Sequence, residues 1–217
     1  MGGLLEAALG RVLGRAPAAT AADEVELKAV VPDPGALRAQ LEAAGARLTF
    51  EGTLEDRRYD TPDGRLEARD EVLRLRTASP RPGSAGTPRA SLDWKGPTRR
   101  ERGYKVREEH STAVGDAAVV ALILERLGLA VRREIDREVA EYVVGEGGGA
   151  AALRIEHYPR MDVLVEVEGT PAAIEQAIVT TGLPRATFTD GRLTEYKLAF
   201  ERRTGRRAAT ARRELGA

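Results

Sequence analysis

Residues 24–31 read Glu24-Val25-Glu26-Leu27-Lys28-Ala29-Val30-Val31, and the fold turns on how they are read. Side chains of an extended strand alternate between faces, so Glu24, Glu26 and Lys28 share one face while Val25, Leu27 and Ala29 share the other. An ordinary strand with one face in water alternates in the same way. The two readings separate on whether other strands enclose the charged face, because carboxylates turned into a closed interior need cations to stay ionised.

Other stretches repeat the pattern. Glu71 to Arg76 puts Arg74 and Arg76 on one face, Ala90 to Lys95 ends on Lys95, and Gly103 to Ser111 aligns Lys105, Arg107 and Glu109. Further strands are expected at Thr53 to Asp60, Arg133 to Val144, Leu153 to His157 and Met161 to Glu168, the last placing Glu166 and Glu168 two apart. Between them, Leu37, Leu41 and Ala44 recur at helical spacing until Gly45, and a second helix over 116–127 has Val119, Val120, Ile123, Leu124 and Leu127 for a core face before Gly128. Closing helices are read at 171–180 and 192–203, and the Pro, Gly and Ser-rich segment 79–88 is read as a loop over a sheet edge.

The order strand, helix, three strands thus occurs twice. An offset of 81 sets Glu24, Glu26 and Lys28 on Lys105, Arg107 and Glu109, with all three signs reversed, and Gly45 matches Gly128 at an offset of 83. Two such halves predict an α+β fold: an eight-stranded, mainly antiparallel closed β-barrel, or tunnel, with pseudo-duplicated halves and helices packed outside. Residues 1–22 are read as an N-terminal extension, flexible or helical, 23–203 as a single tunnel domain, and 204–217 as a basic, solvated C-terminal tail.

The 217 residues carry 34 basic and 34 acidic side chains, so no global field draws the protein to nucleic acid or a membrane. There is no cysteine, which removes disulfides, thiolate metal sites and thiol catalysis, and fits a reducing compartment. Cytoplasmic localisation is expected, with a homodimer as one oligomeric state the sequence leaves open. His110 and His157 fall off the charged faces and are read as structural or surface groups.

If the charged faces point inward, they form two sets. Glu24, Glu26, Glu166 and Glu168 are hard oxygen donors of the kind Mg2+ or Mn2+ takes together with phosphate oxygens. Lys28, Arg74, Arg76, Lys95, Lys105, Arg107, Arg133 and Arg137 form a cationic set suited to a polyphosphate, with Glu109 also facing the tunnel.

In order, Glu24-x-Glu26-x-Lys28, Leu73-Arg74-Leu75-Arg76, Lys95-Gly96-Pro97, Arg107-Glu108-Glu109 and Val165-Glu166-Val167-Glu168 resemble the motifs of the CYTH superfamily, the triphosphate tunnel metalloenzymes that include class IV adenylate cyclases and thiamine triphosphatases. The resemblance implies a small-molecule triphosphate substrate such as ATP, thiamine triphosphate or tripolyphosphate, a divalent metal on the four glutamates, and Glu24, Glu26, Lys28 and Arg76 as catalytic groups. One strand departs from the pattern: where the family often has a basic pair two residues apart, Ile135 stands between Arg133 and Arg137. The expected activity is metal-dependent triphosphate hydrolysis. The alternatives are cyclisation of ATP to cyclic AMP and pyrophosphate, and a noncatalytic polyphosphate-binding module, which the retained acidic groups disfavour.

Overall fold

A computed structural model describes residues 20–216. Its strands, in order, are β1 (Thr20–Val30), β2 (Arg47–Asp60), β3 (Val72–Pro80), β4 (Arg89–Lys95), β5 (Arg99–Glu101), β6 (Tyr104–Ala113), β7 (Ala130–Val144), β8 (Ala151–His157) and β9 (Leu164–Glu168). Helices are α1 (Pro34–Ala43), the single turn α2 (Arg65–Ala68), α3 (Ala117–Arg126), α4 (Pro171–Thr181) and α5 (Leu193–Thr204).

The sheet order β1-β9-β8-β7-β2-β3-β4-β6 closes through antiparallel pairing of β6 with β1, giving an eight-stranded barrel. The short β5, which the sequence pattern does not announce, adds to β6 outside the ring. The duplication is written into the pairing. Exchanging β1–β4 with β6–β9 maps the barrel onto itself: β1 pairs β6, β2 pairs β7, and β3 between β2 and β4 corresponds to β8 between β7 and β9. Val25 faces Val106, the residue 81 positions on, so Glu24 stands opposite Arg107 and Glu26 opposite Lys105. The sign reversal between the halves therefore makes complementary cross-strand pairs.

Most of the apolar core lies outside the ring; a smaller cluster of Phe50, Leu54, Ala78 and Val139 packs on the strand faces that carry Asp56, Arg76 and Arg137. Leu27, Ala29, Leu153, Val165 and Val167, on the outer faces of β1, β8 and β9, pack with Leu37 and Leu41 of α1 and Ile174 and Ile178 of α4. Asp33 and Thr170 cap these two helices through the backbone N–H of Ala36 and Ala173. Across the barrel, α3 covers Tyr59 and Leu75 with a narrow stripe of Ala117, Val120, Ala121 and Leu124. Contrary to expectation, Val119, Ile123 and Leu127 are 51%, 51% and 72% exposed. Positions 117, 120, 121 and 124 follow one face of a helix only ten residues long, and the remaining apolar residues fall off that stripe.

Both ends of the chain depart from the sequence reading. Strand β1 already begins at Thr20, and the rest of the expected extension, residues 1–19, lies outside the described residues. Residues 206–216 do not project as a solvated tail. Ala208, Ala209, Thr210 and Ala211 are buried, the Asp136 N–H donates to the Thr210 carbonyl at 2.8 Å, and Arg212 and Arg213 reach Glu138 and Glu134. Small side chains let this segment lie flat on the barrel, which a count of its arginines conceals. Among the described residues no helix is long and apolar enough to cross a membrane.

Candidate functional site

The inner faces of the strands surround a cavity of about 250 Å³. Of the residues expected there, Glu24, Glu26, Lys28, Arg74, Arg76, Lys95, Lys105, Arg107, Arg133, Arg137, Glu166 and Glu168 all line it. Glu109 points into the barrel but lies beneath the lining, 3.1 Å from Lys95 and 3.7 Å from Arg74. Trp94 and His110 lie side by side with ring centroids 5.6 Å apart and planes tilted by 41°, and His110 and His157 are both exposed.

On the β1 side, carboxylates and ammonium groups alternate. Lys28 bridges Glu26 at 2.7 Å and Glu166 at 2.5 Å, Lys95 bridges Glu24 and Glu109, and Lys105 also binds Glu26. Burial pushes the Glu26 carboxyl up, but Lys105, Lys28 and Lys95 outweigh it and hold Glu26 well below the usual carboxylate range. Glu166 is lowered too: burial and neighbouring Glu26 raise it, and Lys28 and Arg154 prevail. The two lysines on Glu26 shift in opposite directions. Burial lowers both, yet Glu166 and Glu26 carry Lys28 well above its ordinary value while Lys105 stays depressed.

On the β2 side, Asp56 is the hub. Arg76 binds it through Nε at 2.6 Å and Nη2 at 2.9 Å, Arg137 through Nη1 at 3.1 Å, and Arg74 stands 3.7 Å away. Burial raises the Asp56 carboxyl, and Arg137, Arg76 and Arg74 together drive it well below its ordinary value. Arg74 is also held by Asp93 at 2.8 Å and Arg137 by Glu156 at 2.8 Å. Arg107 is anchored differently, donating to the carbonyls of Gly96 and Asp70.

Several of these residues escape the sequence reading. Asp56 and Arg58 alternate with Glu55 and Arg57, so both faces of that strand carry charge and the alternation is masked. Leu153-Arg154-Ile155-Glu156 alternates as clearly as the last strand and was a usable signal. Arg154 Nη1 reaches Glu166 at 2.8 Å, and its Nε reaches Glu141 at 3.0 Å, which Arg89 binds at 2.6 Å. This ion-pair chain runs from the cavity wall to Phe50, over whose ring Arg89 lies at 4.3 Å. Asp70, Thr98 and Arg192 also line the cavity, with Arg192 on Asp70 at 2.7 Å.

The four glutamates fit a divalent cation by donor chemistry. Glu26 stands directly opposite Glu168, and Lys28 opposite Glu166. Among the described residues no three such carboxylates converge on one point, because lysine ammonium groups stand between them. A cation would replace those ammonium contacts.

The family model for the CYTH domain matches residues 22–169. Solved structures similar to this chain include a protein of Vibrio parahaemolyticus described as an adenylate cyclase candidate, at 19% identity and TM-score 0.66, covering 82% of this chain and 98% of that one. A Pyrococcus horikoshii protein aligns at 22% identity and TM-score 0.63, covering 81% and 98%. A Hippeastrum protein, described as an adenylyl cyclase candidate with a dominant triphosphatase activity, aligns at 18% and 0.57, covering 84% and 96%. A comparison with curated proteins gives no match.

Proposed function

Because this chain belongs to the CYTH domain family, we propose that it is a divalent-metal-dependent triphosphatase, releasing orthophosphate from an inorganic or organic triphosphate inside the barrel. The carrying observation is the character of the cavity wall. Cations from β1, β2, β3, β4, β6, β7 and β8 converge on it, while its apolar contributors are Val72, Ile135, Leu193 and Tyr158. The Tyr158 hydroxyl donates to Glu156 at 2.6 Å. Such a lining recognises phosphoryl groups and offers little to a purine or a thiazole ring.

In this reading Glu24, Glu26, Glu166 and Glu168 would hold Mg2+ or Mn2+. When bound, the cation would neutralise phosphate charge and polarise phosphorus. Lys28, Lys95 and Lys105, released from their carboxylates, would turn to phosphate oxygens, so that substrate and metal enter as one exchange of ion pairs. Arg74, Arg76 and Arg137, fixed around Asp56 and its neighbours, would present oriented N–H groups to the charge that grows on the departing diphosphate.

Cyclisation of ATP is the second reading, and the description of the Vibrio neighbour is what favours it. Phosphorus NMR of mixtures containing the protein, magnesium and either tripolyphosphate or ATP separates the readings. Orthophosphate is the expected product. Cyclic AMP with pyrophosphate from ATP would replace hydrolysis with cyclisation, and binding of either compound without turnover would leave a noncatalytic module.

A further inference from the structure

Across β3, β2 and β7, Arg74, Arg58 and Arg133 stand directly opposite one another in the strand register. Like charges directly opposite on neighbouring strands repel, so this row needs compensation. Arg74 has Asp93 at 2.8 Å. Among the described residues, Arg58 and Arg133 have no carboxylate within ion-pair distance, although both side chains line the cavity. The Nε of Arg58 is buried with no hydrogen-bond acceptor, and leaving a buried donor unsatisfied is unfavourable. Burial first, and Arg133 second, lower the Arg58 guanidinium to about 10, which still leaves it charged at neutral pH.

The rest of the wall sharpens the contrast. Lys28, Arg76, Lys95, Lys105, Arg137 and Arg154 each face a carboxylate. Ile135 faces Asp56 across β7 and β2, two residues along the register from the Arg133–Arg58 pair and on the same face. An apolar side chain therefore interrupts the cationic face of β7, and Arg58 lies diagonally across from it, a separation that long side chains span.

We propose that Arg58 and Arg133 form an anion subsite on the β2–β7 wall that holds a phosphoryl group of the substrate, with Arg58 making the contact that Ile135 cannot. The subsite rests on the triphosphate reading above. Its repulsion is the apo cost of a site completed by an incoming anion, and two neighbouring guanidinium forks suit the several oxygens of one phosphoryl group.

The test compares wild type, Arg58→Met and the double variant Arg58→Met/Ile135→Lys, using thermal unfolding without ligand and calorimetric titration with inorganic triphosphate, in metal-free buffer and with magnesium present. Arg58→Met is expected to melt at or above the wild-type midpoint and to bind triphosphate roughly 10–100-fold more weakly, the range for losing a charged hydrogen-bond partner. Ile135→Lys in that background is expected to restore most of the affinity. A lower apo midpoint with unchanged affinity would make Arg58 structural and overturn the subsite alone, as would failure of the double variant to recover binding. A wild-type protein that binds no triphosphate would overturn the functional reading together with the subsite.

Discussion

Around the cavity, β9, β1, β6 and β4 contribute Lys28, Lys95 and Lys105 interleaved with Glu24, Glu26, Glu166 and Glu168, whereas β7, β2 and β3 contribute five arginines and the single buried carboxylate of Asp56. An ammonium group is a compact, strongly hydrated point charge, and a guanidinium is a planar fork that matches a carboxylate in two places. The geometry follows that difference. Lys28 and Lys95 each bridge two carboxylates, so no single partner defines their position. Arg76 grips Asp56 through two nitrogens while Arg137 holds the same carboxylate from the neighbouring strand. We therefore read the lysine side as the part that exchanges ions with substrate and metal, and Arg74, Arg76 and Arg137 around Asp56 as a frame that fixes the opposite wall.

The sharpest way to break this contrast is to remove the hub. Asp56→Ala leaves half-buried Arg76 and buried Arg137 without their shared counterion, and stripping one partner from a buried ion network costs about 3–5 kcal/mol. Urea unfolding should show that loss, and a variant as stable as wild type would remove the framing role. The same carboxylate makes stability acid-sensitive. Its folded pKa lies well below the ordinary 3.8, so the unfolded chain takes up the proton first as pH falls. Its contribution is therefore complete above the unfolded value and drains away as pH drops towards the folded one. Asp56→Asn should unfold with a shallower acid slope than wild type.

On the exchanging side, Glu26→Gln should lower metal-dependent turnover by on the order of 100-fold or more, the scale for deleting one electrostatic stabiliser of a transition state. Lys28 keeps Glu166 in that variant. Most of the protein should therefore remain folded, as circular dichroism would report. A smaller effect is expected from Arg76→Lys, which keeps the charge and loses the fork. Stability should fall by about 1–2 kcal/mol from the lost charged hydrogen bond, whereas Lys105→Arg should leave stability within ~1 kcal/mol because that site uses a point contact. Equal responses to the two swaps would erase the distinction between the walls.

The lysine side was the more legible in the sequence. Glu24, Glu26 and Lys28 alternate with Val25, Leu27 and Ala29, so the strand period shows directly which residues face inward. Asp56 and Arg58 were hidden because Glu55 and Arg57 charge the outer face of β2 as well, where they meet Arg212 and Asp136. Long-range register was also beyond a single strand's pattern. The 81-residue offset aligned the halves, but only the pairing of β1 with β6 turned reversed signs into facing partners. Burial misled at α3, where apolar composition exceeds what a short helix can cover, and at Ala208–Ala211, where small side chains among arginines pack tightly.

In the proposed function the lysine side trades its internal ion pairs for a cation and a triphosphate while the arginines around Asp56 stay put. Mn2+ binding followed by electron paramagnetic resonance, in the presence of tripolyphosphate, tests it most directly on wild type, Glu26→Gln and Arg76→Lys. Saturable Mn2+ binding is expected in wild type and Arg76→Lys, with at least tenfold weaker binding in Glu26→Gln, the scale of losing one ligand or its support. Undiminished Mn2+ affinity in folded Glu26→Gln would contradict it.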